Sequence, residues 1–225
     1  MKYNVAIDGP SGAGKSVIAL KIAHRFNLTH IDSGAMYRVI ALKASRQDVD
    51  FDDEEKLVDI IHNTTIRFSK DKRVFMDDED VSLEIRQEKI SLGASDVSKL
   101  KEVRRLLVLA QQDMAKEKNC IMEGRDIGTV VLPEAEVKIF LTASVDVRSK
   151  RRYLDLLAKG INANYDNIKR DLILRDHQDT NRKESPLKKA EDAVELDTTH
   201  LSIDEVIDAI SEIIDDKVRK GENCD

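Results

Sequence analysis

One octapeptide, Gly9-Pro10-Ser11-Gly12-Ala13-Gly14-Lys15-Ser16, limits what this chain can fold into more than any other stretch. It fits G-x-x-x-x-G-K-[ST], a loop that needs a strand running in and a helix running out. Val5-Ala6-Ile7 supplies the strand, and Ile18, Ile22 and Phe26, with Ala19 and Ala23 beside them, supply the apolar face of the helix. A glycine-rich turn that fitted by chance would not carry both flanking elements. The glycines let successive N–H groups face inward as a nest for a polyphosphate, and the helix adds its positive end. Lys15 is then expected at the β- and γ-phosphates and the Ser16 hydroxyl at Mg²⁺, with backbone from Gly9 through Val17 around the donor phosphates.

Composition narrows the partners. With 225 residues the chain suits one domain carrying insertions. Its 37 Lys and Arg against 43 Asp and Glu leave a formal charge of −6, which argues against duplex binding. Aromatics make up 4% and Trp is missing, so stacking platforms for single-stranded nucleic acid are not expected either. Cys120 and Cys224 lie too far apart for a zinc spacing or a disulfide framework, and Cys120 reads as a small core residue. No run approaches the about 18 apolar residues of a membrane span, and the N-terminal strand is too short for a signal peptide. A cytoplasmic, reduced protein is expected.

Further along, His30-Ile31 reads as a strand ending at Asp32-Ser33-Gly34, with a helix opening at about Ala35. Residues 52–62 read as a short helix with an acidic first turn. The period then changes: Thr64–Phe68 and Arg73–Met76 flank Ser69-Lys70-Asp71-Lys72 as a β-hairpin, and Asp77 to Asp80 reads as a solvated turn. Leu83 to about Lys118 is expected to be helical with one break near Gly93 or Ser95. Cys120–Glu123 and Val137–Leu141 are buried-type strands. A helix capped by Ser144 and closed by Gly160 follows, then one from about Tyr165 to Asp179, a polar stretch, a strand at Val194–Asp197 and a last helix behind a Ser202/Glu205 capping box. Strands alternating with helices predict an α/β fold: a three-layer sandwich with a parallel central sheet and ligands at the carboxyl ends of the strands.

Arginines gather where such ligands would lie. Arg38 and Arg125 follow strand ends, Arg104 lies on the long helix, and Arg175, Asp179 and Arg182 fall at i, i+4 and i+7 on one helical face. Arg148, Arg151 and Arg152 form a similar group on the preceding helix. Forked guanidinium groups suit phosphate oxygens. A lone surface arginine or an i, i+4 ion pair would need no such explanation. The histidines (24, 30, 62, 177 and 200) avoid the three strand-end loops, namely the P-loop, Asp32-Ser33-Gly34 and Gly124-Arg125-Asp126. A phosphate acceptor is already anionic and needs no base, whereas a hydroxyl acceptor usually does. Positioning and charge screening would then be the whole catalytic task.

At this point the chain resembles bacterial cytidylate kinase. The resemblance is carried by Ile7–Ser16, Asp32-Ser33-Gly34-Ala35-Met36-Tyr37-Arg38, Gly124-Arg125-Asp126-Ile127-Gly128-Thr129-Val130-Val131, Lys138–Ser144, Arg175-Asp176-His177-Gln178-Asp179-Thr180-Asn181-Arg182, Ser185-Pro186-Leu187 and Asp197-Thr198-Thr199, in order. It implies an adenylate-kinase-like fold with a CORE (about 1–62, 99–144 and 186–225), a hairpin-containing NMP-binding insert (about 63–98) and a helical LID (about 145–185). It further implies ATP as donor with Mg²⁺, CMP and dCMP as acceptors, and a monomer. Ser33, Arg38, Arg125 and Arg182 would hold the monophosphate. Ser95, Arg104 and Asp126 would face cytosine, and Arg175 with Asp179 the pentose. Arg148, Arg151 and Arg152 would meet ATP phosphates from the LID. Lys15, Arg125, Asp126 and Arg182 would form the catalytic set. Glu123 stands where some members carry Asp and is given a supporting place behind the metal rather than a ligand's.

A P-loop kinase for another nucleotide, such as UMP or AMP, or for a small metabolite is the second enzyme reading. A nucleotide switch is the third, and it lacks its D-x-x-G and [NT]-K-x-D strings.

Overall fold

A computed structural model describes residues 2–69, 73–158 and 160–222. Cys224 and the hairpin tip Lys70-Asp71-Lys72 lie outside the described residues. In order the elements are β1 (Asn4–Asp8), α1 (Lys15–Arg25), β2 (Thr29–Asp32), α2 (Ser33–Arg46), α3 (Glu54–His62), β3 (Ile66–Phe68), β4 (Val74–Met76), β5 (Glu79–Asp80), α4 (Glu88–Val97), α5 (Lys101–Met114), β6 (Cys120–Gly124), β7 (Val137–Thr142), α6 (Val145–Ala158), α7 (Tyr165–Asn181), β8 (Val194–Asp197) and α8 (Ile203–Glu222). The five-stranded parallel sheet runs β2-β6-β1-β7-β8, so the P-loop leaves its middle strand. In register, Ile7 pairs with Ile139 and Leu141 with Leu196. A small antiparallel sheet runs β3-β4-β5.

Tertiary contacts group the chain into two compact units, the described residues of 1–28 with 121–225, and residues 29–120. In the first unit, β1 and β7 are buried almost throughout, as strands covered on both faces must be. Ile18, Ile22 and Ala19 of α1 and Val206, Ile210 and Ile214 of α8 pack on Val5, Ile7, Ile139 and Leu141. The α6–α7 pair is different. Only Leu172 of α7 is a buried apolar residue, while Leu154, Leu157, Ile173 and Leu174 are exposed. An element with so thin a core opens more easily than the sheet it adjoins.

The second unit is built around α2, whose Ala35, Met36, Val39, Ile40, Ala41 and Ala44 are buried on nearly every side. Asp32 caps it by accepting from the Ala35 N–H at 3.0 Å, so the helix opens at Ser33, two residues before the expected start. The stretch 77–80 is not simply a solvated turn. Asp77 and Asp78 turn in the left-handed region, and Glu79–Asp80 then adds a third strand to the hairpin. The acidic side chains are held by cations: Asp77 by Lys43 at 2.6 Å and Glu79 by Arg46 at 2.7 Å.

The long helical region also breaks elsewhere than expected. It divides at Gln87 and across Ser98–Leu100, while Gly93 and Ser95 sit inside α4. Gly93 is there for clearance: a Cβ would lie 2.4 Å from the Phe51 ring. Replacing Gly93 by Ala should therefore destabilise the protein by about 1–3 kcal/mol through overpacking, despite alanine's better helix propensity. Chemical denaturation measures this, and the loss should shrink when Phe51→Leu is added.

Candidate active site

The P-loop geometry follows from its glycines. A Cβ on Gly9 would sit 1.9 Å from the Leu141 carbonyl oxygen, and Gly12 and Gly14 hold φ of 76° and 93°. No side chain among the described residues caps α1, so its first N–H groups face the loop. Val17, in that first turn, is half exposed. Lys15 is buried, and its Nζ donates to the Gly9 and Pro10 carbonyls at 2.7 and 2.8 Å. Burial, and then the Arg125 charge, lower its pKa from 10.5 to about 7 against the opposite pull of Glu123, Asp8 and Asp179. The Ser16 hydroxyl donates to Glu123 Oε2 at 2.7 Å. Glu123 is itself buried at the end of β6.

Beyond β6 the chain makes a wide turn over Ile127–Val131, in which the Val131 N–H reaches the Asp126 carbonyl at 3.2 Å. Arg125 and Asp126 lie at its mouth. Arg125 Nε donates to Asp179 Oδ2 at 2.8 Å, and an Asp126 oxygen lies 3.4 Å from Arg182 Nη2. Burial alone would raise the pKa of Asp179, but Arg125, with Arg175 and Arg182, holds it below the usual carboxylate range. Lys15, Arg125, Asp126, Arg175, Asp179 and Arg182 thus form one electrostatic group. Arg182 reaches it from just past the end of α7 rather than from the expected helical face, and its Nε donates to the Ser185 carbonyl at 2.5 Å.

The three arginines of α6 diverge. Arg148 is buried; Nε donates to the Ala143 carbonyl at 2.8 Å, and Nη1 to the Ser11 carbonyl at 2.9 Å and to Asp176 at 2.6 Å. It braces the P-loop from behind. Arg151 is turned onto Thr198, at 2.7 Å from its carbonyl oxygen, and Arg152 is exposed beside Asp155 at 3.5 Å.

The second unit carries its own expected residues. Ser33 is buried at the first turn of α2. Arg38 Nη2 pairs with Asp32 at 2.7 Å, in space that Gly34 leaves, since a Cβ there would come within 3.1 Å of Arg38 Nη1. Burial opposes ionisation of Asp32, yet Arg38 and His30 keep its pKa low. Arg104 is buried over the Tyr37 ring, 5.4 Å from its centroid, and its Nε donates to the Ser98 carbonyl at 3.2 Å. The Ser98 hydroxyl in turn donates to the Ser95 carbonyl at 2.9 Å, which links Ser95 to Arg104. Sequence reasoning missed Asp8, Tyr37, Ser98, Asp176 and Thr198. Only Asp8 and Asp176 carry a signal of a kind, as charges inside motif segments.

The cytidylate kinase family profile matches residues 5–216. The chain belongs to the cytidylate kinase family. A cytidylate kinase of Lactobacillus gasseri is 50% identical over 216 residues, covering 95% of this chain and 94% of that protein. One of Clostridium acetobutylicum is 47% identical over 218 residues, covering 97% of this chain and all of that one. Among solved structures, an uncharacterised protein of Eubacterium ventriosum superposes with a TM-score of 0.51 at 12% identity, over 95% of this chain and 99% of that one, a likeness of fold alone. For the cytidylate kinase family ATP is the phosphoryl donor. No described helix is long and apolar enough to cross a membrane.

The lowered pKa of Lys15 has a sign that can be measured. At pH 8 the empty loop carries Lys15 mostly neutral, and the donor's phosphates must restore its charge. ATP binding at pH 8 should therefore take up close to one proton, and at pH 6 almost none at this group. Calorimetry in buffers of different ionisation enthalpy checks this, and Lys15→Met should abolish the uptake.

Proposed function

We infer that the chain transfers the γ-phosphoryl group of ATP to CMP or dCMP, giving ADP and CDP or dCDP. The observation that carries this reading is the electrostatic group around Lys15. Guanidinium groups fixed by carboxylates stand beside a phosphate loop, with no histidine in its strand-end loops to act as a base. That suits an acceptor whose oxygen is already anionic.

Lys15 exchanges the Gly9 and Pro10 carbonyls for the β- and γ-phosphate oxygens, within the nest of Gly9 to Val17. Arg125 and Arg182, with Ser33 and Arg38, take the acceptor phosphate. Arg148, which also holds the loop from the Ser11 side, and Arg152 meet the donor phosphates, with Arg151 once released from Thr198. Arg175 and Asp179 take the pentose at its 3′ as well as its 2′ side, which admits both CMP and dCMP. Asp126 accepts from the cytosine N4 amino group, while Arg104 and Ser95 serve the N3 and O2 side. Uracil would turn a carbonyl oxygen toward Asp126, and the unpaired buried groups would disfavour it.

Mg²⁺ fits here. The Ser16 hydroxyl, a hard oxygen donor, would hold the ion together with phosphate oxygens, and Glu123, which accepts from that hydroxyl at 2.7 Å, would steady it from behind. Among the described residues no cluster of three acidic, His or Cys side chains forms a separate cage. When bound, Mg²⁺ neutralises charge building between the β- and γ-phosphates. The partition into CORE (1–62, 99–144, 186–225), NMP-binding insert (63–98) and LID (145–185) belongs to the same proposal, with the thinly packed α6–α7 pair as the part that closes to exclude water.

An ADP-release assay across the common nucleoside monophosphates tests the acceptor. CMP and dCMP should lead, and UMP or AMP used at least as well would overturn the base assignment in favour of a kinase for another nucleotide. Asp126→Asn should raise the UMP share by about 10-fold or more; an unchanged ratio would remove Asp126 from the base contact. Closure has its own check: hydrogen exchange over 145–185 should slow when ATP and CMP are added together, and unaltered exchange would exclude the LID.

A further inference from the structure

We propose that Asp8 is a positioning residue of the transfer site: its carboxylate accepts from the backbone N–H groups of both Ile127 and Gly128 and so fixes Arg125 and Asp126 against the loop that begins one residue later. The proposal deepens the function given above and rests on the roles given there to Arg125 and Asp126.

The geometry is specific. The two bonds measure 2.8 and 2.7 Å, one to each carboxylate oxygen, and they span 119 and 120 residues of sequence. Asp8 is buried, so it has been taken out of water to make them. Only a carboxylate satisfies both donors. An asparagine would offer one oxygen and set its amide hydrogens against the second N–H, and an apolar side chain would leave both N–H groups orphaned.

The partner loop is shaped to match. A Cβ on Gly128 would lie 3.4 Å from Asp8 Oδ2 and 3.3 Å from Lys138 Cδ, so an alanine there would press lightly on the contact without removing either N–H donor. The clamp holds the first two residues of the wide turn, immediately after Asp126. That fixes the peptide directions from which Arg125 reaches Asp179 and Asp126 faces Arg182. A displacement of about 1 Å in such groups costs on the order of 100-fold in rate.

The charged groups facing Asp8 are Asp126 and Lys15. Burial, foremost, pushes its pKa up to about 6; the two N–H groups and Lys15 pull it down, and Asp126 adds to the rise. Near neutral pH the carboxylate is therefore ionised and able to accept at both oxygens.

The test compares wild type with Asp8→Asn and, as a gentler disturbance of the same contact, Gly128→Ala. Measured together are thermal stability, kcat/KM for CMP and for UMP, and affinity for a non-hydrolysable ATP analogue. Asp8→Asn should lower kcat/KM for CMP by about 10- to 100-fold. It should also shrink the CMP-to-UMP preference several-fold while analogue affinity stays within roughly threefold, because Asp8 does not bond Lys15 and Glu123 and Asp179 still support its charge. If Asp8→Asn does not fold, Gly128→Ala should show the same pattern in weaker form. A folded variant whose CMP kinetics and preference stay within roughly twofold of wild type overturns the proposal, whatever its stability. So does an equal loss of donor affinity, which would make Asp8 a general support. In wild type, NMR should show the Ile127 and Gly128 amides titrating together near pH 6, a transition lost in Asp8→Asn; amide shifts that are the same in the two proteins overturn the clamp. Should wild type ignore CMP while the amides titrate, the functional reading fails and the clamp stands.

Discussion

A buried ammonium group sets the terms for this site. Lys15 cannot stay charged out of water without acceptors, and it finds two in the Gly9 and Pro10 carbonyls of its own loop. To turn those carbonyls inward the backbone must take φ values that only glycine adopts readily, and to pass beneath Leu141 it can carry no Cβ at Gly9. The octapeptide is therefore a solution to two demands at once, a nest of N–H groups for an anion and a resting place for the cation that will meet it. The acidic residues around Lys15 keep enough of its charge in play that a phosphate can restore the rest.

The arginines obey the same rule. A guanidinium that is to meet a phosphate is best held still beforehand, and four here are tied to carboxylates, Arg125 to Asp179, Arg182 to Asp126, Arg38 to Asp32 and Arg148 to Asp176, while Arg151 rests on the Thr198 carbonyl. Each carboxylate spends part of its accepting capacity on orientation. Asp176 shows the limit of that economy, since its second oxygen is buried without a hydrogen-bond partner. Arg38 shows the benefit, being locked within the same turn that caps its helix.

What could be read from the sequence was what is local. The P-loop, the apolar helix faces and the strand order along the chain follow from spacing within a few residues and stand as expected, whereas Arg182 falls off the helical face its spacing assigned it. The errors came where tertiary contact overrode a local signal. Gly93 reads as a helix breaker, yet the need for clearance at Phe51 keeps it within α4. Glu79–Asp80 reads as a charged turn because nothing in its composition reveals that Lys43 and Arg46 neutralise its surroundings. Nor does any local signal reveal that Arg148 holds the loop, since its acceptor there, Ser11, is 137 residues away. No periodicity reports a bond of that span.

The same distance explains why the supporting residues were invisible while the ones they support were not. Lys15, Arg125 and Asp126 announce themselves by chemistry, as a cation in a glycine loop and a charged pair at a strand end. Arg104 needs Tyr37 beneath it and Ser98 beside it, and neither residue type points to that duty in isolation. A group that acts on a ligand must be of a particular kind, so its identity is informative. A group that holds another in place needs only a matching donor, acceptor or ring at the right point in space, and the fold alone decides which residue stands there.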